Sequence, residues 1–242
     1  MLIIAHRGHS AGYPENSVPA FEAAIAGGAN LIETDVRLTR DRQAVCWHDP
    51  DLQRLTGRPL FIADLERDEL AAALAASGQT LLTLDAVLAV ARGRVRVMLD
   101  VKVRSDEMAA IIVDALTASG MQRNVVYGVR ETAQYAQLRR LAPQLTLLAM
   151  PPDPEQLSGF LAPGVIAVRL WEYEVTPARV ARIHAAGRKA WVTAGLKSAG
   201  EAPGEITAER LLRLHEMAVD GVLLNDPELA RNTISKPQRI SP

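Results

Sequence analysis

The sequence predicts a (β/α)8 barrel, and three observations point there. Short apolar runs alternate with amphipathic stretches along the whole chain. The runs that read as strands followed by helices number eight. The length of 242 residues is close to the ~250 typical of that fold. A doubly wound open sheet is the nearest competitor. It would normally use fewer strands and carry a GxGxxG or GxxxxGKS loop after the first, and the sequence has neither.

Taken in order, the first run is LIIAH (2–6), followed by SVPAFEAAIAGGA (17–29), where a Ser cap, an early Pro and a Gly pair bracket a helix. LIETDV (31–36) is the second strand. The connection AVCWHDPDLQRLTGRPLFIADLERDELAAALAASGQT (44–80) exceeds a plain strand-to-helix turn, so it is expected to hold a short extra strand, AVCWH, and a small excursion. LDAVLAVARG (84–93) closes that unit. RVMLDVK (96–102) is the third strand, and SDEMAAIIVDALTASG (105–120) is a helix with a Ser cap and a Gly stop. Four further strands follow: NVVYGV (124–129), LTLLAM (145–150), VIAVRL (165–170) and KAWVTA (189–194). Their helices are ETAQYAQLRRLA (131–142), DPEQLSGFLA (153–162), TPARVARIHAAG (176–187) and TAERLLRLHEMA (207–218). DGVLLND (220–226) and PELARNT (227–233) complete the eighth unit. Strands with so few polar residues suit a parallel sheet covered by helices. No linker or composition shift interrupts the pattern, so residues 1–242 read as a single domain; the tail SKPQRISP (235–242), with two prolines, reads as frayed.

Composition narrows the function. The net charge is −1 and the charges are interspersed, which gives no basic field for nucleic acid. MLIIA lacks the basic lead-in and long apolar core of a signal peptide, and no stretch approaches the ~20 apolar residues of a membrane span. One cysteine, Cys46, excludes an intramolecular disulfide and suits a reducing compartment. A cytoplasmic protein is expected, with no stable membrane insertion and an oligomeric state the sequence leaves open.

In such a barrel the active site lies at the carboxyl ends of the strands. The first strand ends in His6-Arg7, the second carries Glu33-Thr34-Asp35, AVCWHD ends in His48-Asp49, and the third ends in Asp100-Val101-Lys102. Side chains alternate with period two, which puts Glu33 with Asp35 and Asp100 with Lys102 on common faces. Carboxylate ligands select a hard divalent cation, Mg²⁺ or Ca²⁺, over Zn²⁺. Arg7 and Lys102 suit a phosphate, and two histidines suit acid and base roles near neutral pH. Each pair alone is commonly structural: an ExD pair can be a salt bridge, and Pro14-Glu15-Asn16 can cap a helix. Their convergence on one mouth points to metal-assisted cleavage of a phosphodiester.

The series "HRG", "PEN", "GANLIETDVRLTRD", "VCWHDPDLQRLTG" and "LDVK" resembles the glycerophosphodiester phosphodiesterases, densely over residues 3–57 and more thinly afterwards. The resemblance implies His6 and His48 as the acid/base pair and Arg7 and Lys102 as phosphate contacts. It implies Glu33, Asp35 and Asp100 as metal ligands, with Glu15 and Asn16 in support at the substrate. It also implies hydrolysis of a small-molecule glycerophosphodiester to an alcohol and glycerol 3-phosphate. The chain departs from the family pattern at Asp100, where a glutamate is usual, at "YGVRE", at "WVTAGL" and at Asn225-Asp226-Pro227. The Asp100 feature is also similar to the sphingomyelinase D type, so lysophospholipase D-like cleavage through a cyclic phosphate is the alternative. A barrel that binds a phosphoryl ligand without turnover is the third reading.

Other residues receive plainer expectations. Trp171 and Glu172 follow the sixth strand, and Trp171 suits a pocket wall. Trp191 is assigned to the substrate wall, with core packing as its other reading. Trp47 is expected to pack behind His48, Cys46 to be buried, His9 to be solvated, and His184 and His215 to lie away from the mouth.

Overall fold

The computed structural model describes residues 1–234, so the expectation of a frayed tail at 235–242 lies outside the described residues. In chain order the first elements are β1 (Leu2–Ala5), α1 (Val18–Ala26), β2 (Leu31–Leu38), β3 (Ala44–Cys46), β4 (Asp51–Leu52), α2 (Gln53–Thr56), β5 (Arg58–Phe61) and α3 (Arg67–Ala75). They are followed by α4 (Leu84–Ala91), β6 (Arg96–Val101), α5 (Asp106–Ser119), β7 (Val125–Val129), α6 (Ala133–Leu141) and β8 (Thr146–Ala149). The chain then forms β9 (Val165–Trp171), α7 (Pro177–Ala185), β10 (Lys189–Thr193), α8 (Ala208–Glu216), β11 (Gly221–Leu224) and α9 (Pro227–Ile234).

Eight of these strands pair in parallel in the circular order β1-β2-β6-β7-β8-β9-β10-β11, and β1 closes the ring by pairing with both β2 and β11. The alternation seen in the sequence is therefore a barrel. Each strand sends alternate residues inward, where Ile4, Leu31, Met98, Val126, Leu148 and Trp191 fill the lower interior. The residues between them, such as Ile32, Val36, Val97 and Leu99, pack outward under the helices. Burying one such aliphatic side chain contributes about 1.5–3 kcal/mol. Cap chemistry marks the helix ends: Ser17, Thr83, Ser105, Thr176 and Thr207 each accept a backbone N–H from the first turn, and Gly120 ends α5 in the left-handed conformation.

The expected helix at 153–162 is instead a short 3-10 segment, Pro154–Phe160, with a non-helical Gln156 inside it. The Pro at its first position is compatible with a helix, but Gly159 within it weakens the helical preference. The excursion is present as foreseen. β3 runs antiparallel to β2, and the β4–β5 ribbon with α2 and α3 covers its own apolar cluster, including Val45, Trp47, Leu52, Ile62 and Leu70. Its consequence for the site is to carry His48 to the barrel mouth. No helix among the described residues is long and apolar enough to cross a membrane.

Candidate active site

The inward positions of β2 rise from Leu31 through Glu33 to Asp35, and the β2–β6 register sets Asp35 beside Asp100. One oxygen from each of Glu33, Asp35 and Asp100 lies within 4.8 Å of the others, and all three residues are buried. Burial, then the charges of Asp35 and Asp100, pushes the Glu33 carboxyl well above its ordinary range. Burial also opposes ionisation of Asp35, but Lys102 and Arg7 prevail and hold it below the usual carboxylate value. Lys102 Nζ bridges Asp35 Oδ1 at 2.9 Å and Asp100 Oδ2 at 2.7 Å. Arg130, on the turn after β7, grips Asp100 through Nη2 at 2.8 Å and 2.7 Å. Against the same burial, Lys102 and Arg130 hold the Asp100 carboxyl well below its ordinary value. Three crowded oxygen donors, one of them forced toward its neutral form, are a set that a hard divalent cation would relieve, and the donors fit such a cation.

His6 stands just past β1. Its Nδ1 lies 2.8 Å from Asn225 Oδ1, while Asn225 Nδ2 donates to the Pro203 carbonyl at 3.1 Å. That second bond fixes which way the amide faces, so Asn225 presents an acceptor and Nδ1 of His6 carries the proton. Nε2 keeps its lone pair. Burial, then the Arg7 charge, lowers the His6 pKa to about 4, so the ring is neutral at pH 7. Gly204 makes this pairing possible: a Cβ there would collide with Asn225 Oδ1 and come within 2.8 Å of His6 Nδ1.

Arg7 adopts a left-handed φ of 56°, and Asn16 one of 51°, conformations that cost non-glycine residues energy and recur at functional sites. The turn needs Gly8 as well, because a Cβ would meet the Ala20 carbonyl carbon at 2.7 Å. So folded, the loop aims Arg7 Nη1 at Glu15 (3.0 Å) and Nε toward Asp35 (3.1 Å), and the Arg7 N–H donates to Glu33 at 2.9 Å. Asn16 Nδ2 donates to Asp35 Oδ2 at 3.2 Å and its Oδ1 accepts from Thr34 at 2.8 Å. Glu15 and Asn16 thus support the arginine and the carboxylates.

His48 reaches the mouth from the excursion. Its Nδ1–H donates to Asp49 Oδ1 at 2.7 Å, and Arg54 clamps both Asp49 (2.5 Å) and Glu15 (2.6 Å). Arg37 donates twice to the His48 carbonyl, at 2.9 Å and 2.7 Å. Burial lowers the His48 pKa, while Asp35 and the hydrogen-bonded Asp49 work against that.

These groups surround a cavity of about 150 Å³ whose lining includes His6, Arg7, Glu33, His48, Asp100 and Lys102. Arg130, Arg169, Trp171 and Thr193 complete much of its far wall. Trp191, assigned from the sequence to the substrate wall, is not among the lining residues. It is 2% exposed and sits lower in the interior against the apolar plug, so its place is structural. Depth along the barrel axis separates it from Trp171, which does line the cavity. His9 is also not solvated: it is mostly enclosed, edge-on to Tyr13 at 5.7 Å and 3.9 Å from Asp226. Trp47 and Cys46 are buried as expected, the thiol pushed up to about 12 by burial. His184 lies away from the mouth, on α7, paired with Asp220. Glu172 turns from the cavity to Arg210, at 2.5 Å.

Five contributors were not assigned roles from sequence: Asp49, Arg54, Arg130, Arg169 and Asn225. Asp49 follows His48 directly, which is a local signal. Arg130 and Asn225 lie 30 and 219 positions from Asp100 and His6, and Arg54 lies 39 positions from Glu15; only the "YGVRE" and Asn225 departures hinted at two of the five.

A family model described as the glycerophosphoryl diester phosphodiesterase family matches residues 6–229. The Bacillus subtilis protein YhdW is 38% identical over 109 residues, which cover 42% of this chain and 45% of YhdW, so that alignment spans under half of the relative. A glycerophosphodiester phosphodiesterase from Caldanaerobacter subterraneus is 25% identical over 250 residues, covering 97% of this chain and 98% of its own. Among solved structures, an Oleispira antarctica phosphodiesterase in complex with the product sn-glycerol-3-phosphate has a TM-score of 0.80 and 21% identity. The match covers 98% of this chain and 97% of that one. The glycerophosphodiester phosphodiesterase of Agrobacterium tumefaciens gives a TM-score of 0.78 at 23% identity over 95% of this chain and 99% of its own. At these identities the structural matches speak to the fold.

Proposed function

The chain belongs to the glycerophosphoryl diester phosphodiesterase family, and from that membership we propose that its barrel mouth hydrolyses a glycerophosphodiester to an alcohol and glycerol 3-phosphate. The observation that carries the proposal is the facing of two histidines across a buried three-carboxylate cluster with Arg7 and Lys102 beside it. Residues 1–242 act as one domain, in the cytoplasm, on a small-molecule substrate.

Glu33, Asp35 and Asp100 would hold Mg²⁺ or Ca²⁺. When bound, that cation supplies positive charge against the phosphate oxygens and favours ionisation of the attacking hydroxyl. Arg7, fixed by Glu15, and Lys102 orient the diester. The proton roles follow from the second partner of each ring. His6 faces a neutral acceptor in Asn225 and is held neutral by burial, so its Nε2 takes the proton from the attacking hydroxyl. His48 backs onto the Asp49 carboxylate, which favours the imidazolium against the burial that lowers its pKa, so of the two rings it is the one that carries the proton passed from Nε2 to the departing alkoxide as the P–O bond breaks. The rim is charged, with Arg37, Arg104 and Arg130 near His48, which disfavours the lipid-cleaving alternative.

A panel of glycerophosphodiesters assayed with Mg²⁺ or Ca²⁺ and with chelator tests this reading. Metal-dependent release of glycerol 3-phosphate is expected; a protein that binds diesters but cleaves none under any metal would overturn it.

A further inference from the structure

Arg169 is an inward residue of β9, on the far side of the mouth from Glu33, and it lines the cavity. It is 4% exposed, and its Nε and Nη1 have no hydrogen-bond partner among the described residues. Its guanidinium carbon lies 4.3 Å from the centre of the Trp171 ring, a contact that orients the group and does not neutralise it. Among the described residues no carboxylate reaches it as a salt-bridge partner, and a buried cation so placed is costly. Burial, then repulsion from Arg130 on the turn after β7, lowers the Arg169 pKa to about 10, and the charges of Asp100 and Glu174 offset this only in part. Both guanidiniums line the cavity together with Met150, and the three come from successive strands: Arg130 after β7, Met150 after β8 and Arg169 on β9.

The charge balance sharpens this. Without a cation, Asp100 is the counter-ion of Arg130 and, with Asp35, of Lys102. A divalent cation held by those carboxylates draws on the same negative charge. One phosphodiester then brings a single charge to a mouth lined by Arg7, Lys102, Arg130 and Arg169. Beyond Arg130 the mouth continues into a groove of about 360 Å³ whose charged lining is Arg37, Asp49, Lys102, Arg104 and Arg130, four cations to one carboxylate.

We propose that Arg169, with Arg130, forms a second anion subsite, and that the preferred substrate is a glycerophosphodiester whose alcohol half carries its own carboxylate or phosphate. This rests on the hydrolase reading above. There the glycerol half brings no charge beyond the diester, so the second anion belongs to the alcohol. A planar guanidinium pair suits either oxyanion bidentately, and it disfavours a cationic headgroup such as choline.

The test compares kcat/KM for four diesters: glycerophosphoglycerol, glycerophosphoglycerate, glycerophosphoglycerol phosphate and glycerophosphocholine. The anionic members are expected to exceed the neutral one by about 10–100-fold, the equivalent of one charge-assisted contact, with the choline diester last. The carboxylate and phosphate arms show which anion is preferred. Arg169→Gln is expected to bring the anionic-to-neutral ratio close to one, and Arg169→Lys to restore part of it. Calorimetric binding of the same diesters to a His6→Ala protein reads the preference without turnover. Diesters cleaved with no anionic preference, or an unchanged ratio in a folded Arg169→Gln protein, overturn the inference alone. If no diester is cleaved, the hydrolase reading fails and takes the inference with it.

Discussion

Replacing Asn225 by Leu removes the group that dictates the His6 tautomer while keeping the branched shape of the side chain. In the native chain Asn225 Oδ1 sits 2.8 Å from His6 Nδ1 and accepts from Ser10 at 3.1 Å, and Nδ2 donates to Pro203 at 3.1 Å. The leucine leaves a ring that is only 7% exposed without an acceptor. An unsatisfied buried donor costs about 1–3 kcal/mol, so the melting temperature falls by several degrees. The larger effect is kinetic. Without the Asn225 acceptor the proton can move to Nε2, where it blocks base catalysis, and kcat falls by about 10²–10⁴-fold, the usual worth of a positioned base. KM changes little, because Arg7 and Lys102 are untouched. Asn225→Asp should rescue much of kcat and raise the acidic limb of the kcat/KM profile, since a carboxylate stabilises the His6 imidazolium whose native pKa is near 4. The experiment is a pH-resolved steady-state assay with thermal melts of both variants. If the leucine variant kept kcat within about twofold, the assignment of His6 as base through Asn225 would be wrong.

Four further outcomes follow from the same geometry. Glu33→Gln should leave metal-free stability within about 1 kcal/mol, because burial and its acidic neighbours already drive this carboxyl toward its neutral form, yet it should abolish metal-induced thermal stabilisation, which for the parent is about 2.7 kcal/mol at 100 times Kd. Through His6, stability should fall as pH drops from about 6.5 toward 4, since the unfolded imidazole binds its proton first; calorimetric melts across that window check the sign, which Asn225→Asp should weaken. Trp191→Phe should cost about 1–2 kcal/mol in stability with KM unchanged, whereas a substrate-wall role would raise KM. Arg54→Ala, which releases Asp49 and Glu15 together, should lower kcat/KM by about tenfold while moving stability by under about 1 kcal/mol, as expected of a half-exposed ion pair.

The barrel was legible because its signals are local. Period-two runs such as LIETDV and RVMLDVK, capped helices and Gly stops each lie within a dozen residues, and their repetition identifies the fold. The same locality made His6, Arg7, Glu33, Asp35, His48, Asp100 and Lys102 visible, since each lies within or just past a strand. What escaped depends on how far apart in sequence the partners are and how deep in the barrel they lie. Asn225 meets His6 across 219 positions, and Arg130 meets Asp100 across 30. Trp171 and Trp191 both face inward from neighbouring strands, but one lines the cavity and the other packs below it. Alternation cannot distinguish them, because it encodes the face of a strand and not the height along the axis. The segment at 153–162 failed for a different reason: its apolar spacing suggested a helix, but the backbone leaves helical geometry at Gln156 and forms only 3-10 turns.

The central claim is that this mouth cleaves glycerophosphodiesters through a cation held by Glu33, Asp35 and Asp100 and a proton relay between His6 and His48. A ³¹P NMR time course of glycerophosphoglycerol with the intact protein tests it most directly. With Mg²⁺ or Ca²⁺ the diester signal should give way to glycerol 3-phosphate, with chelator it should persist, and Glu33→Ala and His6→Ala should leave it intact over the same interval. An unaltered diester under every metal, or full conversion by either variant, would contradict the account.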